Sequence, residues 1–396
     1  MRAFILKILY INAVCGVGST GRIVTDLMKE AKQQGHTVKV ACSTVEPIRN
    51  ADPEDVIIVG SKIDYYVHNA LSRLTDHEGL YSKAATKKLI RQIREYDPDL
   101  IHLHNLHGHW INYELLFKYL ASENKKVIWT LHDCWAFTGH CSHFSLVKCE
   151  QWINKCKNCI NLKSYPKCIG KGDVVNNYER KEKAFTSIHD MTIVTPSKWL
   201  ANLVKCSFLK PYNIDVIHNK IDMSVFMPTS NNFRSKNQLQ GKIIILGVAN
   251  VWNKEKGLND FIKLRELLDE RYVIVMVGLT KEQIAIMPNT IMAIERTKNV
   301  KELTEIYSAA DVFINLTYQD TYPTVNLEAI ACGTPVISYI TGGSCEAFDN
   351  KSGIAVPQGS VGLIPDAIKK ALLLKKDDIL DRRAAFKSYG DYRKYY

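Results

Sequence analysis

The feature that most constrains this chain is an alternation that occurs in two successive series. Apolar runs of strand length are separated by longer stretches with helical periodicity. In the first series the sequence predicts strands at 5–11, 37–41, 56–59, 100–103, 126–131, 191–195 and 215–217, with helical patterns such as 21–34 and 83–96 between them. Several of these runs are apolar on both faces, which suits a parallel sheet covered by helices. The second series predicts strands at 242–247, 272–278, 291–295, 312–315, 335–339 and 353–356, with helices at 258–269, 300–309 and 325–332. Residues 227–240 are polar and read as a linker or loop. The economical architecture is α/β: two Rossmann-like domains whose parallel sheets face an interdomain cleft. The expected boundaries are a first domain at 1–215, a linker at 216–240 and a second domain at 241–375. A C-terminal helix at 376–396 is expected to pack back on the first domain.

Composition removes several alternatives. With 396 residues, 46% hydrophobic and 23% charged, the chain is neither disordered, collagen-like nor a small disulfide scaffold. No apolar run approaches the ~18 residues a membrane helix needs. Lys and Arg outnumber Asp and Glu by 52 to 41, and the net charge of +11 favours anionic partners without choosing among phosphorylated ligands, acidic lipid and nucleic acid. Met1-Arg2 followed by 3–6 resembles the opening of a signal peptide, and Asn12-Ala13-Val14-Cys15 a lipoprotein cleavage site. Lys7 interrupts the apolar region, and Gly16, Gly18 and Gly21 follow at once, so a first strand entering a glycine loop is the preferred reading. The expected location is cytoplasmic, with mostly reduced cysteines.

Six segments carry chemistry. The loop from Ala13 to Arg22 places glycines before a helix expected to start near Gly21, where backbone and free amides can approach an anion. Alternation puts His102 and His104 on one side of a strand end, as hydrogen-bonded core histidines or a metal pair. His132-Asp133 ends the next strand, where ligands of open α/β sheets bind. Six of the 11 cysteines follow between 134 and 168, in an insertion with little periodicity. Cys156 and Cys159 form a C-x-x-C pair that Cys141 and Cys149 would complete as a structural zinc site; disulfides and plain thiols are the alternatives. In the second half, Lys256 lies by a helix N-terminus, and 320–337 places Asp320 in a loop, Thr324 at a helix start and Glu328 one turn inside it.

These motifs resemble a large family, the retaining, nucleotide-sugar-dependent glycosyltransferases of GT-B fold (family 4, group 1 type). The resemblance rests on the acid-x7-Glu pattern at Asp320 and Glu328 with the Ala331-Cys332-Gly333-Thr334-Pro335 that follows, on Lys256-Gly257, and on 194–200, 216–222 and 306–313. Within the family, Gly18 to Arg22, 132–139 and the cysteine cluster are most similar to the colanic-acid-type exopolysaccharide transferases. The resemblance implies a first domain on the acceptor side and a second that binds the nucleotide sugar. It implies that Gly18 approaches the donor diphosphate, His132 reaches the transferred sugar and Lys256 stabilises the departing diphosphate. Asp320 would hold sugar hydroxyls, with Thr321, Tyr322 and Thr324 nearby, Glu328 would grip the ribose, and Arg296 would line the base. No catalytic metal is implied. The acceptor would be a glycan or a lipid-linked glycan, with contact to an anionic membrane at the inner face of the cytoplasmic membrane and no nucleic-acid partner. The basic amphipathic stretch 81–94 would serve that contact, or else be a solvated helix face. Three departures stand out: Val251 where Arg is usual, Asp320 where Glu is usual, and His218 and Lys220 where Pro and Gly are usual. Two other classes remain open at this level: a nucleotide-sugar epimerase on the same fold, and a non-catalytic zinc-containing binding protein.

Overall fold

The computed structural model describes residues 5–123, 125–386 and 390–396. They form two compact units: a first that runs to Ile217 and takes in 390–396, and a second from His218 to Phe386.

The first unit is a seven-stranded parallel sheet: β1 (Lys7–Ile11), β2 (Thr37–Ser43), β3 (Val56–Val59), β4 (Leu100–Leu103), β5 (Lys126–Thr130), β6 (Met191–Thr195) and β7 (Asn213–Val216). Their order is β3-β2-β1-β4-β5-β6-β7, so the order reverses between β1 and β4. Ile8 aligns with Val38 on one side and Leu100 on the other. The alternation along β1 explains its unbroken apolar character. Leu9 and Ile11 enter one core with Ile101, Leu103 and Trp129. Ile8 and Tyr10 enter the opposite core with Val40, Leu100 and Ile128. Each such fully buried Ile or Leu contributes roughly 1.5–3 kcal/mol relative to exposure.

The second unit is a six-stranded parallel sheet: β8 (Ile243–Val248), β9 (Tyr272–Val277), β10 (Ile291–Ile294), β11 (Val312–Asn315), β12 (Val336–Tyr339) and β13 (Gly353–Val356). The order β10-β9-β8-β11-β12-β13 reverses between β8 and β11. Again both faces are covered: Ile244, Leu246 and Phe313 lie in one core, Ile245, Met276 and Ile314 in the other.

Three expectations change. The first helix begins at Gly18 rather than Gly21 and runs to Gln33, after an extended Val17. The segment 216–240 is not a free linker. Ile221, Phe226 and Leu239 are buried in the second unit's core, and Arg234 donates to the Ala309 carbonyl at 2.7 Å and to Asp311 at 2.6 Å. Residues 376–396 are not one helix. A helix Lys376–Asp381 and a 3-10 turn Arg382–Phe386 pack through Ile379 and Phe386 on the second unit. Residues 387–389 lie outside the described residues, and only the last residues join the first unit, where Tyr392 and Tyr395 are buried and Lys394 pairs with Asp215 at 2.9 Å. The helix Lys83–Tyr96 follows the second of its two expected readings, a solvated face packed from beneath: its Leu89 and Ile93 are buried in the first unit's core. Its apolar face therefore serves folding and only its basic face is left outward. The signal-peptide reading begins at residues 1–4, which lie outside the described residues.

Candidate active site

Polar residues collect in each unit beyond the carboxyl ends of the strands that flank the reversal, where adjacent loops leave in opposite directions. In the second unit these are the loops after β8 and β11. The first enters a 3-10 turn, Lys254–Lys256, whose start is capped by Asn253 accepting the Lys256 amide at 2.9 Å. Gly257 closes the turn at a φ of 74°, and a Cβ there would lie 2.4 Å from the Leu316 carbonyl oxygen. The Tyr318 amide donates to the Glu255 carbonyl at 2.7 Å, so the two loops are stitched together. That stitching brings Lys256 Nζ to 2.8 Å from Asp320 Oδ2 and 3.5 Å from Thr317 Oγ1. The side chains of Lys256 and Asp320 are 36% and 18% exposed.

The chain then passes through buried Thr321 and Tyr322 into the helix Thr324–Ala331. Pro323 precedes this helix, and neither a side-chain cap nor a first-turn acid occupies its N-terminus. First-turn amides of that kind suit an anion. Glu328 is buried within the helix, with Oε2 accepting from the Tyr307 hydroxyl at 2.9 Å. Tyr322 stacks on His218 at 4.7 Å between ring centres. Arg296 is not gathered to this set: it is exposed and follows the edge strand β10, two strands from β8. Val251 is also exposed, beside exposed Lys254 in the loop after β8.

In the first unit, the loops after β1, β4 and β5 converge. Asn12 links two of them, accepting the Asn105 amide at 3.1 Å and donating to the Val14 carbonyl at 2.7 Å. Gly16 is the glycine the backbone requires, since a Cβ would lie 1.8 Å from the Arg49 carbonyl oxygen. Gly18 is different: a Cβ there would meet no heavy atom within 4 Å, so its approach is open. His132 Nε2 lies 2.9 Å from His104 Nδ1. His104 stacks on His102 at 4.3 Å, and His102 Nε2 lies 2.8 Å from Thr130 Oγ1. Thr130 Oγ1 is in turn 2.9 Å from the Tyr392 hydroxyl. Burial lowers His132 to about 4 and His102 to about 3, so these rings are neutral near pH 7. His102 and His104 are buried core histidines, each with one ring nitrogen engaged, while His102 Nδ1 and His104 Nε2 meet no hydrogen-bond partner among the described residues.

Asp133 pairs with His107, at 2.8 Å from Nε2, and accepts the Trp135 amide at 2.9 Å. Burial alone would raise Asp133, but the His107 charge outweighs it and holds the carboxyl at about 2. His107 was not singled out in the sequence; it follows a different strand, and only the β4–β5 adjacency reveals it. A second missed group is His68, Glu78 and His109, all buried, whose ligand-type atoms lie within 4.8 Å of one another. Glu78 Oε1 accepts the Gly108 and His109 amides, both at 2.8 Å, and Oε2 faces His109 Nδ1. His68 Nδ1 meets Ser82 Oγ at 2.8 Å while Nε2 accepts the Gly79 amide at 3.2 Å. With both His68 nitrogens engaged, this group reads as a buried polar network. The predicted zinc ligands Cys141, Cys149, Cys156 and Cys159 line one cavity, and all are free thiols.

Comparison with known proteins places the chain in a family. A profile described as Glycosyltransferase Family 4 matches residues 20–225, and one described as Glycosyl transferases group 1 matches residues 229–392. The chain is 25% identical over 368 residues to WcaC of Escherichia coli (strain K12), described as a colanic acid biosynthesis glycosyl transferase; 90% of this chain and 88% of that protein are covered. It is 22% identical over 404 residues to a D-inositol 3-phosphate glycosyltransferase of Corynebacterium jeikeium (strain K411), covering 95% and 88%. Among solved structures, sucrose-phosphate synthase from Thermosynechococcus elongatus aligns with a TM-score of 0.71 at 15% identity, over 98% of this chain and 99% of that one. Anabaena Alr3699/HepE, solved in complex with UDP, aligns with a TM-score of 0.64 at 13% identity, over 96% and 94%. These two structural likenesses concern the fold, which is GT-B.

Proposed function

Since the chain belongs to glycosyltransferase family 4, and so is a glycosyltransferase, we propose that it moves a sugar, with retention, from a nucleoside-diphosphate sugar to a glycan or lipid-linked acceptor in surface polysaccharide biosynthesis. The observation that carries this reading is the meeting of Lys256 and Asp320 beside the uncapped helix at Thr324. A cation and free amides accept diphosphate oxygens, and a carboxylate accepts sugar hydroxyls. The neighbour Alr3699/HepE has been solved with UDP and with UDP-glucose, which supports a nucleotide-sugar donor.

In this mechanism the bond between the anomeric carbon and the diphosphate oxygen breaks first, and the electron pair leaves on the phosphate. Lys256 and the amides near Thr324 take up that charge, with no metal required. The acceptor hydroxyl attacks from the face the diphosphate vacates, so configuration is kept, and its proton passes to the departing phosphate oxygen. Asp320 exchanges its contact with Lys256 for sugar hydroxyls when donor binds. Glu328, braced by Tyr307, serves the ribose; Thr321 and Tyr322 shape the turn that carries these groups. Arg296 is left with the base. Gly18 and His132 are the first unit's contribution, the neutral imidazole accepting a hydrogen bond from a sugar hydroxyl or donating one to it.

A lipid-linked acceptor is favoured by the helix Lys62–Thr75, which leaves Ile63, Tyr66, Val67 and Leu74 from 52% to 74% exposed. The next helix adds exposed Lys83, Lys87, Lys88 and Arg91. An apolar row followed by a basic one matches an anionic lipid surface. Among the described residues no helix is long and apolar enough to cross a membrane.

The test is calorimetric titration of the full chain with UDP, GDP and ADP and their hexose conjugates, followed by NMR of the anomeric proton in the product. One nucleotide should bind, and the product should keep the donor configuration. Binding of none, or an inverted product, overturns the proposal. Turnover of donor to an epimer without acceptor would assign the chain to the epimerases instead.

A further inference from the structure

The segment between β5 and the helix Val174–Phe185 contains only 3-10 turns, at Trp135–Phe137, Ser145–Val147 and Gln151–Ile153. A stretch of this length without a sheet or helix of its own needs some other tie. Within it lies a small cavity of ≈ 20 Å³ whose wall includes Cys141, Cys149, Cys156 and Cys159. We propose that these four cysteines bind one structural zinc ion, which staples the insertion to the first unit.

Four observations carry this assignment. Four cysteines, each following one of the three turns of a single insertion, line the same cavity, and two of them form a C-x-x-C pair, the spacing that thiolate zinc sites use. Two of the sulfurs already accept backbone amides: Cys156 Sγ from Gly139 at 3.2 Å and Cys159 Sγ from Asn161 at 3.4 Å. Hydrogen bonds of this kind orient ligands from outside the coordination sphere. Phe144 and Trp152, stacked at 5.0 Å between ring centres, form the aromatic part of the same wall. The buried Lys181 amine also ties the insertion down beside the cavity, donating to the Trp135 carbonyl at 2.8 Å and to the carbonyl of Thr138, which lines the cavity, at 3.0 Å.

The sulfurs have not closed on one point, since the only triad of ligand-type atoms gathered within 4.8 Å among the described residues is His68, Glu78 and His109. Metal binding would draw them inward by side-chain rotation. His140 also lines the cavity, its Nδ1 held by Asp76. Four thiolates complete a tetrahedral shell, so His140 stays outside it. A closed shell leaves no position for substrate, and the ion is structural rather than catalytic. The insertion it would brace also carries Tyr165, whose hydroxyl lies 3.0 Å from His107, the partner of Asp133. This inference stands independently of the donor reading.

The experiment uses the full chain purified without chelator or added metal. Elemental analysis should return close to one zinc per chain. A mercurial should release it to a chromogenic chelator, and cobalt substitution should give the thiolate charge-transfer bands of a tetrahedral site. Cys156→Ser combined with Cys159→Ser should abolish binding, while His140→Gln should keep it. Zinc-free protein overturns the proposal, whether its cysteines titrate as free thiols or prove paired as disulfides. Loss of zinc in His140→Gln with retention in Cys149→Ser overturns the ligand set. The cobalt spectrum is read on the unaltered protein and decides the matter even where a cysteine variant fails to fold.

Discussion

Lys256→Met separates stability from catalysis at the proposed site. Methionine keeps an unbranched stem of similar length and removes only the charge. The Lys256–Asp320 pair is 2.8 Å apart, and its side chains are 36% and 18% exposed. A pair this open to solvent contributes only about 0–1 kcal/mol to folding. The thermal midpoint should therefore move by about 4 °C or less. Turnover should respond very differently. If Lys256 meets charge that develops on the departing diphosphate, its loss should cost about 3–4 kcal/mol, the scale of one oxyanion donor, or roughly 10²–10³ in kcat. The assay is release of nucleoside diphosphate at saturating donor, with kcat and KM resolved separately. Lys256→Arg should recover part of kcat, because the charge returns on a different stem. A variant that folds normally and keeps kcat within about threefold of the parent would refute the reasoning. So would a collapse of the thermal midpoint, which would make Lys256 a structural residue.

Three further outcomes follow from the geometry. Gly257→Ala should destabilise the second unit by about 1–3 kcal/mol in urea unfolding, because its φ is 74° and the new Cβ would meet the Leu316 carbonyl at 2.4 Å. Tyr307→Phe should cost about 1–3 kcal/mol by the same measurement, since it leaves an oxygen of buried Glu328 without the hydroxyl now 2.9 Å away. The third concerns acid. Burial holds His102 at about 3 in the folded chain, below its unfolded value of about 6.5, so the unfolded state binds the proton first. Its stabilising effect is complete above pH 6.5 and is lost as pH falls toward 3. His102→Gln should flatten the stability-versus-pH slope in that window by about 1.4 kcal/mol per pH unit, measured from urea midpoints.

How much of this was legible depends on where each signal sits. The strands were readable because both sheet faces are buried, which leaves continuous apolar runs such as Ile8 to Ile11. The C-terminal segment was not readable. Its periodicity says nothing about which unit Tyr392 packs against, and a helical stretch was expected where the chain changes partner. The first helix starts three residues before Gly21 because its opening residues, Gly18 to Thr20, are small and polar and read as loop. At the site, Lys256 and Asp320 lie 64 residues apart and became a pair only through the β8–β11 adjacency. Their roles were drawn from family resemblance, and spacing alone could not have paired them. Asp133 shows the opposite case: its sequence neighbour His132 turned toward His104, and its partner came from the preceding strand's loop.

On the proposed function, the valine at position 251 changes how the second unit would balance charge. Where the family usually places a second cation, this chain has an exposed valine, while Lys256 is already matched by Asp320. Lysine and aspartate together carry no net charge, so a diphosphate arriving at the resting pair meets little attraction from it. Attraction must come first from the helix N-terminus at Thr324, which no acid or side-chain cap neutralises, and from exposed Lys254 on the same turn as Lys256. On the proposed function, Lys256 would be released to the phosphates only when sugar hydroxyls reach Asp320. Sugar and diphosphate would then reinforce each other's binding, and a free nucleoside diphosphate, lacking the sugar, would leave the ion pair closed. On this argument the intact donor should bind more tightly than its own leaving group, and Asp320→Asn should invert that order by freeing the lysine in advance. Equal affinity for the two ligands in both proteins, measured by calorimetry, would show that the pair plays no part in gating the phosphate site.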